Sequence, residues 1–167
     1  MTRLIEESHG SSELTDALHS LFVSELFFPS NELFIHTKCK SFVCPLVDNS
    51  CNELRSFLPE QAYRKLSLLD VILELLSRGT RVFLALDPEI HESVMLQIST
   101  RTSLVNLSDS LSISHVTDDM TIGICSESFC VLGEMDFSGS QIVHQGVSIA
   151  ATDETRLDTF SRSWEAK

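Results

Sequence analysis

Residues 67–86 constrain the fold more than any other stretch. Ser67 followed by Asp70 has the spacing of a capping box, with Asp in place of the usual Glu. Leu68, Leu69, Val71, Ile72, Leu73, Leu75 and Leu76 then make a helix over 67–78 apolar on nearly all sides, and Gly79 falls where a left-handed C-terminal cap belongs. Arg81 to Leu86 (Arg-Val-Phe-Leu-Ala-Leu) is a continuous apolar run of strand length. Neither segment has more than a narrow polar edge to turn to water. Both need cover, so the helix is either enclosed between layers or half of a subunit interface.

The flanking segments extend this into an α/β domain with a mixed sheet. Residues 1–12 read as a flexible leader, and 13–167 as one domain. Leu14, Leu18, Leu21, Phe22 and Glu25-Leu26 form a helical stripe closed by Pro29, and Asn31 to Thr37 is a short strand. Residues 38–52 are irregular, and 53–64 are a short helix or a loop around Pro59. Asp87-Pro88-Glu89 starts a helix: Asp caps it, Pro suits its first position and Glu favours the positive end of its dipole. Its core face is Ile90, Val94, Met95 and Ile98. Residues 111–133 read as strands around a tight turn, with Ser126-Glu127-Ser128 as the polar connection. Residues 134–145 are expected as a loop and Gly146 to Ala151 as the last strand. Thr152-Asp153-Glu154 then caps a helix striped by Leu157, Phe160 and Trp164.

A chain of 167 residues is long enough for a real core, and 43% hydrophobic content favours a folded state. The 24 acids outnumber 12 bases, a net charge of −12. That balance disfavours nucleic-acid binding by this chain alone, because phosphate contacts need clustered Lys and Arg. No signal peptide or membrane-spanning run is visible, so a cytoplasmic location with five reduced cysteines is expected.

The run Leu75-Leu76-Ser77-Arg78-Gly79-Thr80-Arg81-Val82-Phe83-Leu84 carries a resemblance to a known family. So do the hairpin Thr121 to Gly133 and Ile149 to Glu154 leading to Phe160 and Trp164. Over residues 14–165 this order resembles the phospholipase D-like fold. It is most similar to the non-catalytic version found as the effector-binding domain of archaeal TrmB-type and methanogenesis-type transcription regulators. Active members of that superfamily carry His-x-Lys-x4-Asp on the strand entering the hairpin. Aligned on Leu132-Gly133, those slots hold Asp119, Thr121 and Ser126 here; a register starting at His115 keeps the His but places Thr117 and Ile122 in the other slots. A nucleophilic His and a charge-stabilising Lys are what phosphoryl transfer requires. The resemblance therefore implies a sensor or dimerisation module of a transcription regulator, without enzymatic activity. The alternatives are a diverged phosphodiesterase or nuclease subunit and a pure protein-interaction domain. Such regulators place a winged helix ahead of this domain, which residues 1–12 cannot hold, so a homodimer or a separate DNA-binding partner is expected.

A small effector would sit in the crevice at the carboxyl ends of the strands, where helix N-termini converge, near Thr37, Asp87, His115 and Asp119. Acidic surroundings there favour polyols, sugars or cations over phosphates. By its own pattern His115 occupies an alternating slot and reads as a packed residue, and His144 as an exposed loop residue. No cofactor is implied. His36, Cys39, Cys44 and Cys51 have zinc-ligand chemistry, but their spacing matches no compact zinc motif. Cys125 and Cys130 flank the hairpin turn, either as core filling or as a facing thiol pair. Asp118-Asp119 with Glu127, Glu134 and Asp136 is a loose acidic set, read as solvated rather than as a cation site.

Overall fold

A computed structural model describes residues 2–5, 12–37, 45–47, 66–101, 109–137 and 142–165. The strands are β1 (Thr2–Ile5), β2 (Glu32–Thr37), β3 (Pro45–Val47), β4 (Leu66–Ser67), β5 (Arg81–Leu86), β6 (Leu111–His115), β7 (Gly123–Ser126), β8 (Phe129–Asp136) and β9 (Val143–Ala151). The helices are α1 (Ser12–Phe27), α2 (Leu68–Ser77), α3 (Pro88–Arg101) and α4 (Glu154–Glu165). Seven strands form one mixed sheet in the order β1-β9-β8-β7-β2-β5-β6, and β3 and β4 pair separately. Strands β2, β5 and β6 are parallel, while β7, β8, β9 and β1 continue the sheet antiparallel.

The helix at 67–78 forms as its sequence predicts. Ser67 Oγ accepts from the Asp70 amide at 3.4 Å, and Asp70 Oδ2 accepts from the Ser67 amide at 2.8 Å, closing the capping box. Gly79 at φ 95° takes the left-handed position after the C-terminus. Leu68, Leu69, Val71, Ile72, Leu75 and Leu76 are buried within the chain itself. Asp70, 2% exposed, also receives Arg101 Nη1 at 2.6 Å, which ties the start of α2 to the end of α3.

Alternation along the strands sorts the core into two layers. Leu33 and Ile35, Val82, Leu84 and Leu86, Ile124, and Phe129, Val131 and Met135 join α1, α2 and α3 on one face. The other face carries a lateral row running Phe83–Phe34–Cys125–Cys130–Ala150 across β5, β2, β7, β8 and β9. Helix α4 lies on this row: Phe160 is buried against Phe34, and Trp164 meets Phe83 edge-on at 5.4 Å. From Arg156 to Trp164 a helix rises ~12 Å, close to the ~14 Å from β8 to β5 at ~4.8 Å per strand. The helix therefore spans these strands instead of running along one of them.

Three strand assignments differ from expectation. Thr2–Ile5, placed in the leader by the sequence, pairs antiparallel with β9 as an edge strand. Leu111–His115 does not belong to the hairpin; it lies parallel to β5 on the opposite edge. The loop expected at 134–145 is shorter, because β8 runs on to Asp136 and β9 begins at Val143, which puts His144 in a strand. Burial of Met135 and Phe137 accounts for the longer β8, since alternation toward the core continues past Gly133.

Candidate functional site

The carboxyl ends of the parallel strands bring most of the expected rim together. Strand register sets Thr37 beside Leu86 and Leu86 beside His115, so Thr37, Asp87 and His115 share one end of the sheet. Their side chains have different roles. Thr37 is buried, and its hydroxyl donates to the Met135 carbonyl at 3.2 Å, so it braces β2 against β8. Asp87 caps α3, with Oδ1 accepting from the Glu89 amide at 2.9 Å. His115, packed by its sequence pattern, is exposed because β6 is an edge strand; its ring lies 5.0 Å from that of His91 on α3. Asp119 is exposed in the turn closed by the Met120 amide to the Thr117 carbonyl, and accepts a hydrogen bond from Thr117 Oγ1. At this end of the sheet Asp87, His91 and His115 lie together with Thr37 buried beside Leu86, and Asp119 sits in the turn that follows β6. Sequence reasoning misses His91, because it sits on the polar side of an amphipathic helix with no local signal for its neighbour.

The three slots aligned with phosphoryl-transfer groups lie at both ends of β7 and not in one cluster. Asp119 is on the rim. Thr121, half-buried, offers its carbonyl to His36 Nδ1 at 3.1 Å. Because a carbonyl only accepts, that nitrogen carries the proton. His36 is itself enclosed, its ring 4.9 Å from Phe160 and 6.2 Å from Trp164. Ser126 lies at the far end of β7, opposite Leu33.

There Ser126 belongs to a buried polar network organised by Glu25 of α1, itself only 1% exposed. Glu25 Oε1 accepts from Ser126 Oγ at 2.6 Å and Ser30 Oγ at 3.1 Å, and Oε2 accepts from the Ser30 amide at 3.1 Å. Ser126 Oγ in turn accepts from the Ser128 and Phe129 amides, so one hydroxyl links the carboxylate to the hairpin turn. Thr80 Oγ1 donates to the Ser30 carbonyl, and Asn31 Nδ2 to Glu127, extending the clamp to β5 and to the turn. Glu25 falls on the buried stripe by its spacing from Leu18 and Leu21, but nothing local names Ser30 and Ser126 as its partners.

Cys125 and Cys130 face each other in register and are buried thiols. The hydrogen bond with Cys130, and then burial, push the Cys125 thiol up; the same hydrogen bond holds Cys130 below its ordinary value, with Arg156 adding attraction. Of the loose acidic set, Glu127 accepts from Asn31 in the β7–β8 turn and Asp119 accepts from Thr117 in the turn before β7. Among the described residues no group of three or more His, Cys, Asp or Glu could hold a metal ion. Cys39, Cys44 and Cys51 lie outside the described residues. Among the described residues, no helix is long and apolar enough to cross a membrane.

No family model matches the sequence, and no curated protein matches it. Among solved structures, the fold is similar to that of TrmBL2, described as an archaeal chromatin protein that shows a novel mode of DNA binding. The TM-score is 0.56 at 8% identity; the match covers 99% of this chain and 50% of that one. The chain thus spans about half the length of the structure it matches, and the likeness is one of fold.

Proposed function

We propose that this chain is a non-enzymatic sensor or dimerisation module of an archaeal-type transcription-regulatory system, built on a phospholipase D-like scaffold. The observation that carries the reading is the environment of Ser126. The slot that would hold an acid of a phosphoryl-transfer site is a buried serine locked onto the buried Glu25 carboxylate. A carboxylate there repels a phosphate, and neither aligned partner slot, Asp119 or Thr121, supplies a nucleophilic imidazole or a cation. The fold likeness to TrmBL2 supports a place among regulators of this type. In this reading, DNA contact comes from another part of the system, either a partner protein or a further segment, and the Asp87–His91–His115–Asp119 rim takes a small polar effector. Hydrogen-bond acceptors and imidazoles on an acidic rim suit a polyol, sugar or cation.

Purified protein is expected to give no turnover of bis-nitrophenyl phosphate; sustained hydrolysis would instead establish the phosphodiesterase alternative. A thermal-shift screen over polyols, sugars, nucleotides and metals tests the effector. A ligand at 100 times its dissociation constant adds about 2.7 kcal/mol of stability. His115→Ala should abolish the shift. A shift that survives this substitution would move the site away from the rim, and no shift with any class would favour a pure interaction domain.

A further inference from the structure

We propose that Cys125 and Cys130 form an oxidation site, a cross-strand dithiol under α4 that a hydroperoxide converts reversibly to a disulfide. The inference is independent of the regulatory reading. The Gly133 amide donates to the Ile122 carbonyl at 3.1 Å, which marks 122/133 as a hydrogen-bonded pair. Antiparallel pairs alternate, so Cys125 and Cys130, three positions along, form a non-hydrogen-bonded pair. Such pairs hold their Cα atoms ~4.5 Å apart, within the span a disulfide bridges. Both side chains point to the same face, in one cluster with Phe34 and Phe160. The two thiols sit opposite each other in register, the Cys125 thiol donates to the Ser126 carbonyl at 3.8 Å, and Arg156 at the start of α4 favours a thiolate at Cys130 against burial and Asp153.

In the first step the Cys130 thiolate attacks a hydroperoxide oxygen. The O–O bond breaks, the alkoxide leaves and is protonated by solvent, and Cys130 becomes a sulfenic acid. Cys125 then attacks the Cys130 sulfur. The S–S bond forms as the S–OH bond breaks, and hydroxide leaves as water with the Cys125 proton. Two thiols have lost two electrons to the O–O bond. Access depends on α4. Both cysteines are 0% exposed, yet Phe160 is the one buried side chain on that helix, so it is lightly held and can open locally.

The test uses the full chain with Cys39, Cys44 and Cys51 changed to Ser, treated with cumene hydroperoxide. Cys125 and Cys130 then fall on one tryptic peptide, residues 102–156. The expected result is that peptide two hydrogens lighter, closed to alkylation and restored by dithiothreitol. Adding Cys125→Ser should stop the reaction at a dimedone-trappable sulfenic acid on Cys130. Loosening α4 with Trp164→Ala, or more severely with Phe160→Ala, should speed disulfide formation, with folding of each variant checked by circular dichroism. Full alkylation after oxidation, sulfinic acid without disulfide, or cross-linked dimers would overturn the site. Equal rates in the loosened variants would overturn the role of α4 as its cover.

Discussion

Ser126 donates to Glu25 at 2.6 Å while accepting from the Ser128 and Phe129 amides. Replacing it by alanine removes a donor from a buried carboxylate and leaves two hairpin amides without that acceptor. Ser126→Ala is therefore expected to destabilise the chain by about 2–3 kcal/mol, and Ser30→Ala by only about 1, because the Ser30 amide still reaches Glu25. Urea denaturation of the two variants checks the order; equal losses would mean that the hairpin amides find other partners. A second prediction concerns the thiols. Cys130 ionises more easily folded than unfolded, so its contribution is present above its ordinary value of 9.0 and is lost as pH falls through the lowered folded value. Cys125 has the opposite sign: the unfolded chain releases that proton near 9.0 while the folded chain keeps it, so stability falls as pH rises beyond that point. With the other cysteines changed to Ser, ultraviolet thiolate absorbance should show one thiolate appearing below 9.0 and the second only on unfolding. Two equivalent titrations would contradict this asymmetry between the facing thiols.

Among the elements, two glycines separate conformational strain alone from strain with collision, since Gly123, at φ 154°, carries both. Gly79 sits at φ 95°, and a methyl group added there would meet nothing within 4 Å, so Gly79→Ala incurs only the left-handed backbone penalty, about 1 kcal/mol. At Gly123 an added Cβ would lie 2.2 Å from the Val131 carbonyl oxygen. Backbone cannot swing aside as a side chain does, so Gly123→Ala should push β7 off β8 and lose more than about 3 kcal/mol. Thermal denaturation of both variants decides this, and comparable losses would place the β7–β8 contact elsewhere. The contrast also separates what local sequence encodes from what it does not. Gly79 is legible because a helix end and a following strand define its position locally. The close approach at Gly123 is not, because it depends on which strand lies beside β7. The same distinction runs through the sheet. Strand β5 declares itself by an unbroken apolar run, whereas β1 is four residues whose partner is β9, with Thr2 beside Ala150. Strand β6 alternates like half of a hairpin, and only packing after α3 makes it parallel to β5. At the rim, Asp87 is visible through its capping motif. The His91–His115 contact needs the crossover from α3 into β6, which no local spacing encodes.

For the molecule as a whole, charge and fold point in different directions and so define a discriminating measurement. The structural match is to half of a protein described by its mode of DNA binding, while this chain has 24 acids against 12 bases. Several of its arginines are already engaged: Arg78 with Glu74, Arg81 with Glu32, Arg101 with Asp70 and Arg162 with Asp158. A protein that grips a duplex neutralises several phosphates and loses affinity steeply with salt, in proportion to the number of contacts. Here the summed field opposes approach, and freeing an arginine would expose the carboxylate it now neutralises. The expected outcome is no shift in the anisotropy of a labelled duplex at physiological salt, and at most weak, non-specific binding at low salt. Saturable binding with a steep salt slope would show a cationic track on this chain and remove the reason for assigning DNA contact elsewhere. A flat response would agree with the charge balance, in which carboxylates outnumber and largely neutralise the arginines.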